Sequence, residues 1–140
     1  MIRKMACAVA VLAALQGCAS VGVEQMTVSD GLVTSAPNGY PYQETPRTQI
    51  DQRDSLIIVT HVRWDPLAGS AGKHDVIWTW YVGDKVVAVR EKQMPFEKSP
   101  YRMSWRMPAA GFDPGHYRVV VSIDKKIVDT REYDIVKLPH

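Results

Sequence analysis

Residues 75–90 read DVIWTWYVGDKVVAVR, two runs of β-branched and aromatic residues either side of Gly83-Asp84. Runs of this kind bounded by a glycine-containing pair mark a β-hairpin: branched and aromatic side chains pack well on a pleated surface, and glycine supplies the positive φ of a tight turn. By the two-residue period, Val76, Trp78, Trp80 and Val82 share one face. A two-residue turn sets Trp80 opposite Val87 and Trp78 opposite Val89, collecting the apolar groups on that face. Tyr81 then lies beside Val86, and Ile77 beside Arg90, on a half-solvated reverse side. The stretch predicts two neighbouring strands with a buried aromatic face.

The same signature extends in both directions. Upstream, SLIIVTHVRW (55–64) is rich in Ile, Val and Thr, and Pro66, Gly69 and Gly72 end it, because proline lacks the donor a ladder needs. Downstream, Tyr101, Met103, Trp105 and Met107 alternate with Arg102, Ser104 and Arg106, so one side is expected buried and the other wet. Gly111, Pro114 and Gly115 make a corner. Tyr117, Val119, Val121 and Ile123 follow on one face, Asp124-Lys125-Lys126 turns the chain, and residues 127–136 return as the last strand. The odd spacing from Val128 to Tyr133 requires a bulge if both point inward. At least six strands and no convincing helix make an all-β, two-sheet antiparallel sandwich the economical architecture. The four tryptophans are expected to be core mass.

FDPGHYRVVVSIDKKIVDTREYDIV (112–136) resembles the final hairpin of small bacterial immunoglobulin-like or fibronectin type III-like domains, in which a Pro-Gly corner precedes an aromatic-led strand and a short charged turn. The resemblance covers about 85 residues and implies a fold but no activity. Trp78 or Trp80 would correspond to the central-strand tryptophan of that class. The inter-sheet disulfide of antibody domains has no counterpart here.

The amino-terminal block has a different character. MIRKMACAVAVLAALQGC carries Arg3 and Lys4, then a short apolar run, then Gly17, which is a secretory signal in charge and length. The run is about half the ~20 residues of a spanning helix. Leu15-Gln16-Gly17-Cys18 resembles the lipobox of bacterial lipoproteins, with Gln16 where a small residue is usual. The resemblance implies cleavage before Cys18, acylation of that cysteine and, with Ala19-Ser20 rather than Asp following it, the periplasmic face of the outer membrane. Cys7 leaves with the signal, so the mature chain has no thiol pair to oxidise. The expected division is a signal peptide at 1–17, the acylated cysteine with a flexible linker at 18–54, and the sandwich at 55–140. A flexible coil of that length reaches roughly 30 Å on average and roughly 120 Å stretched. A short alternation at Met26, Val28, Leu32 and Val33 suggests an edge strand that Asp30-Gly31 breaks, and Tyr40-Pro41-Tyr42 reads as aromatic residues resting on the domain or as a docking segment.

Composition restricts the chemistry. Without Arg3 and Lys4, the 17 basic residues become 15 against 15 acidic ones, and a near-neutral chain lacks the basic excess that meets nucleic-acid phosphates. His61, His74, His116 and His140 show no metal-binding spacing, and LAGSAGK (67–73) lacks the GxxxxGK[ST] pattern of a phosphate cradle. Asp51, Asp54, Asp65 and Asp75 form no distinctive pair. No enzyme, cofactor or metal is expected. The candidate binding residues are Arg102, Arg106, Arg118 and Arg131, whose forked donors suit carboxylates if they share a sheet, and Trp64, expected partly exposed at a strand end. The expected role is a lipid-anchored accessory subunit that binds another envelope protein, the alternative being a carbohydrate- or peptidoglycan-binding module.

Overall fold

The computed structural model describes residues 21–139; the leader, Cys18 and His140 lie outside this range. Eight strands form two sheets. β1 (Thr27–Ala36), β3 (Ser55–Arg63) and β6 (Tyr101–Pro108) make a three-stranded sheet in the order β1-β3-β6. β2 (Gln49–Asp51), β4 (Gly72–Val82), β5 (Lys85–Phe96), β7 (Gly115–Ile123) and β8 (Lys126–Val136) make the second, in the order β2-β8-β7-β4-β5. All pairings are antiparallel except β2 with β8, where Ile50 lies beside Ile135. The two-sheet sandwich expected from the alternation is the architecture found.

The core follows the two-residue period. β3 contributes Leu56, Ile58 and Val62; β4 contributes Val76, Trp78 and Trp80; β7 contributes Val119, Val121 and Ile123, all fully buried. Trp78 meets Trp105 of β6 across the sheets at 5.2 Å between ring centroids. Aromatic contacts continue toward both ends: Trp80 on Phe112, Phe112 on Tyr117 and Tyr117 on Tyr133 at one, and Trp64 on Phe96 and Phe96 on Tyr101 at the other. Burial holds the Tyr133 phenol well above its ordinary pKa, so it stays neutral in the core. Tyr117, near the start of β7, donates from its hydroxyl to the Asp113 carbonyl at 2.5 Å, the tyrosine corner that pins this type of strand to its preceding loop.

Three features differ from the reading of the sequence. The first is the extent of the body. Residues 27–36, placed in a flexible linker, are β1, with Leu32 beside Val59 and Val33 beside Ile58. Asp30-Gly31 does not break this strand; a register shift between Val28 and Asp30 absorbs it. Gly31 is required there, because a Cβ would stand 2.4 Å from the Asp129 carboxylate and 3.1 Å from the Val59 carbonyl oxygen. Residues 37–48, which have no periodicity, run over the outer face of the three-stranded sheet, and Ile50 of β2 is fully buried. The sandwich therefore takes in the chain from Val21 onward, and a 36-residue leash is not present.

The second difference is the register of the β4–β5 hairpin. Gly83 takes φ 58°, as the turn requires, and Tyr81 lies beside Val86 as expected. A bulge at Trp80/Tyr81 then slips the pairing by one residue, setting Trp80 against Ala88, Trp78 against Arg90 and Ile77 against Glu91. Val89 is thereby turned to the outer face opposite Thr79, while Val87, the extra residue of the bulge, stays at the rim near Phe112 and Tyr117; both are exposed. In the last hairpin, by contrast, the required bulge is present at Val121/Ser122, leaving Val128 half-buried against the core, and Asp124 and Lys125 form the turn at φ 50° and 71°. The third difference, at Trp64, belongs with the candidate site.

Without a disulfide the layers rest on this packing. Trp78→Ala is expected to cost about 3–5 kcal/mol, and Tyr117→Phe about 1 kcal/mol by removing one hydrogen bond; urea unfolding followed by tryptophan fluorescence measures both.

Candidate functional site

The residues singled out in the sequence fall into separate places. Arg102 and Arg106 lie on β6, on the outer face of the three-stranded sheet, and both hold the protein's own chain. Arg106 donates to the Tyr40 carbonyl at 2.6 Å and to the Pro37 carbonyl at 2.9 Å. Arg102 lies 3.3 Å from Glu44 and 5.2 Å from the centroid of the Tyr42 ring. His61 of β3 bridges Asp30 and Glu44 in the same network. Beneath them Tyr42 and Leu32 pack on Ile57 and Val59. This face is closed by residues 37–48, with Tyr42 resting on the domain and Tyr40 exposed.

Arg118 lies on the other outer face, that of the five-stranded sheet, opposite Tyr81 and Glu132 in register and with its guanidinium 4.5 Å from the centroid of the Tyr81 ring. Arg131 pairs with Val119 and therefore points to the inner side; its Nε donates to Asp129 at 3.0 Å, and the pair fills the flank of the sandwich against Gly31. The expected facing of Arg118 and Arg131 across the last hairpin does not occur, since one-residue alternation puts them on opposite faces. The four arginines do not form one patch.

Trp64, expected to be partly exposed, is 5% exposed. Its indole Nε1 donates to the Gly69 carbonyl at 2.8 Å, its amide donates to Ser99 Oγ at 2.9 Å, its carbonyl accepts from that hydroxyl at 2.8 Å, and its ring stacks on Phe96. Local sequence marks Trp64 as a strand end; groups up to 35 positions away bury it. Trp78 and Trp80 are buried and Trp105 packs on Trp78, so none of the four stands out as a platform for stacking sugars.

The surface left uncovered is β5 and the face beside it. Register places Tyr81, Val86, Val89, Val120 and Ile127 on the outer side of the five-stranded sheet, and β5 is its edge over twelve residues. Val86, Val87 and Val89 are exposed, and Ile127 is 64% exposed. A long apolar edge with unpaired backbone groups is a template for strand addition unless charges blunt it. Here Lys85, Arg90, Glu91 and Lys92 flank the valines. The regular hairpin register puts Val89 in the core and so conceals this surface; the Val86-Val87 doublet, compatible with either phase, is the one local signal of the slip.

Two histidines are tied into pairs with carboxylates. His74 is buried, with Nδ1 2.6 Å from Asp124 and Nε2 2.9 Å from the Ala71 carbonyl oxygen, and so clasps the start of β4 to the β7–β8 turn. On the outer face His116 lies between Glu132 at 3.0 Å and Asp134 at 2.7 Å, hydrogen bonds that raise its pKa. Among the described residues no group of three or more His, Cys, Asp or Glu is arranged to hold a metal ion, and no helix is long and apolar enough to cross a membrane. An open groove of about 470 Å³ lies by Arg47, Thr48, Asp51 and Asp54.

No family model matches this chain, and no curated protein matches it. Among solved structures, an immunoglobulin-like protein from Pseudomonas aeruginosa superposes with a TM-score of 0.50 at 7% identity, over 82% of this chain and 100% of that one. With the sheet order and the tyrosine corner, this defines an immunoglobulin-like all-β sandwich. At lower scores lie an alkylpurine DNA glycosylase from Pseudomonas fluorescens (TM-score 0.48, 11% identity, 79% of this chain and 30% of that one) and a β-glucosidase from Listeria innocua (TM-score 0.46, 10% identity, 76% and 16%). This chain spans about a third and a sixth of those two proteins, and neither likeness bears on activity.

Two predictions follow from the geometry. Arg106→Ala is expected to accelerate amide exchange at Tyr40 and Arg47 about tenfold, a loss of roughly 1–2 kcal/mol, with β3 amides unchanged. His116, whose native pKa is raised, contributes stability that is fully present below its ordinary value of 6.5 and is lost as pH rises through the native value. The stability difference between wild type and His116→Gln, measured by urea unfolding from pH 5 to 9, should be largest at the acid end and vanish at the alkaline end.

Proposed function

We propose that this chain is an outer-membrane lipoprotein, anchored through Cys18 on the periplasmic side, whose immunoglobulin-like domain binds another envelope protein as an accessory subunit. The observation that carries the binding role is β5: a twelve-residue edge strand with Val86, Val87 and Val89 exposed, Val86 beside Tyr81 and Val89 beside Thr79 on the outer face. The opposite sheet has its outer face covered by residues 37–48, and among the described residues nothing covers the outer face of the five-stranded sheet. Strand addition at such an edge draws affinity from backbone hydrogen bonds and selectivity from alternate side chains. The membrane attachment is supported by the charged start, short apolar run and Leu15-Gln16-Gly17-Cys18 of the leader. Acyl chains contribute ~0.8 kcal/mol per buried methylene, and more than one makes attachment durable. Burial of Trp64, Trp78 and Trp80 favours the protein-binding reading over the glycan-binding one.

Affinity capture from mild-detergent extracts, comparing the wild-type chain with a Val87→Lys, Val89→Lys double variant, tests the role. The wild type is expected to recover a stoichiometric envelope protein. The variant should retain its thermal midpoint, since both positions are exposed, and recover at least about tenfold less, as loss of roughly 1.4 kcal/mol or more implies. Recovery of no stoichiometric partner, or equal recovery by both chains, would count against the proposal.

A further inference from the structure

We infer that the sandwich sits directly on the phospholipid bilayer, with the 66–69 turn in the headgroup layer and Leu67 inserted as an apolar peg. This rests on the lipid-anchor reading of Cys18 and adds the orientation of the domain. The argument begins with chain length. The Val21 amide donates to the Ala71 carbonyl at 3.1 Å, so the described chain is fixed to the body at its first residue. Two residues, Ala19 and Ser20, separate Cys18 from Val21, and the three Cα-to-Cα steps at ~3.5 Å each span ~10 Å at most. An acylated Cys18 therefore holds the Ala71 end of the sandwich within about one headgroup thickness of the lipid.

That end carries the most exposed large apolar side chain among the described residues. Leu67 is 94% exposed, in a Pro66–Ala68 3-10 turn only four positions from Ala71. A leucine so presented usually signals a mobile loop. Here the turn is braced from beneath: the Leu67 amide donates to Asp65 at 2.9 Å, the Trp64 indole donates to the Gly69 carbonyl at 2.8 Å, and the Ala71 amide donates to the Phe96 carbonyl at 2.7 Å. Trp64 is itself tied to Ser99 and stacked on Phe96. The leucine is thus held outward at the place where the chain length puts the membrane. Pro66, Leu67 and Ala68 bear no charge, which suits the interfacial layer.

The test uses the full chain, expressed with its own leader, purified from membranes and reconstituted into phosphatidylethanolamine/phosphatidylglycerol vesicles containing brominated lipid. Leu67→Cys and, at the opposite end of β4, Asp84→Cys each carry an environment-sensitive thiol fluorophore; an acylated Cys18 offers no competing thiol. The expected result is a blue-shifted label at residue 67, quenched ~twofold or more by brominated lipid, with the label at 84 unshifted and unquenched. Equal, water-like emission from both labels on vesicle-bound protein would overturn the orientation while leaving the anchor intact. Mass spectrometry showing an unmodified Cys18, together with failure to bind vesicles, would overturn both. Should labelling at 67 perturb the turn, Leu67→Asp serves instead: quenching of the native tryptophans by brominated lipid is expected to fall relative to wild type, and unchanged quenching would overturn the orientation.

Discussion

Everything in this molecule depends on holding two sheets together without a covalent cross-link, and the contact of Trp78 with Trp105 at 5.2 Å is where that is achieved. Where an antibody domain joins its layers by a disulfide, this chain fills the gap with rings. Trp64, Phe96 and Tyr101 pack at one end, Trp78 and Trp105 in the middle, and Trp80, Phe112, Tyr117 and Tyr133 at the other. Flat, rigid groups of this size lose little rotamer freedom for the area they bury, which matters in a body that hides only ~60–70% of the surface its unfolded chain exposes. Because the rings fill the interior, charged and hydrogen-bonding side chains are left to the rims and outer faces, and any function must be found there.

The two outer faces are treated differently by the chain itself. Over the three-stranded sheet, residues 37–48 are held by Arg106, Arg102 and the His61 network, and they shield Ile57 and Val59. Over the five-stranded sheet no segment of the described chain returns, and Tyr81, Val120, Ile127 and the β5 valines face outward beside paired charges such as His116 with Glu132 and Asp134. Exposed ion pairs add little stability, so the charges there act chiefly to keep the surface soluble and selective.

Much of this fold was legible in the sequence because strands announce themselves through strict alternation. Trp78, Trp80, Met103, Trp105, Tyr117, Val119 and Val121 fall on the faces their spacing assigns. Most of the differences share one cause, pairing between distant residues; the slip of the β4–β5 hairpin is the local exception. β1 is short of local signal because Gly31 belongs to it on account of Asp129, nearly a hundred positions away. Residues 37–48 lack periodicity because their backbone oxygens are met by Arg106 rather than by a ladder. Val87 and Val89 were misplaced by a bulge that no turn residue encodes, and Trp64 by contacts with Phe96 and Ser99. In the candidate site the arginines were visible as residue types, whereas their partners, which decide whether they are available, were not.

The topology gives the sandwich a direction, and this relates the open β5 edge to the Val21–Ala71 end. β5 runs from the Gly83-Asp84 turn at one end to Phe96, whose carbonyl accepts from Ala71 at the other, beside Val21. If lipid lies beyond Val21, the seven to ten residues from Phe96 back to Val89 and Val86, at ~3.3 Å each, would put those valines roughly 23–33 Å above the headgroups, with the edge upright. A long flexible leash would let the domain search a wide volume in any orientation. A two-residue connection would instead fix the height and lean of the open edge, so a partner attached to the same bilayer would meet it pre-oriented, with less rotational freedom to lose on docking. In that arrangement the sandwich would serve as a rigid spacer, and the bulge that turns Val89 outward would give the spacer's edge its apolar outer face.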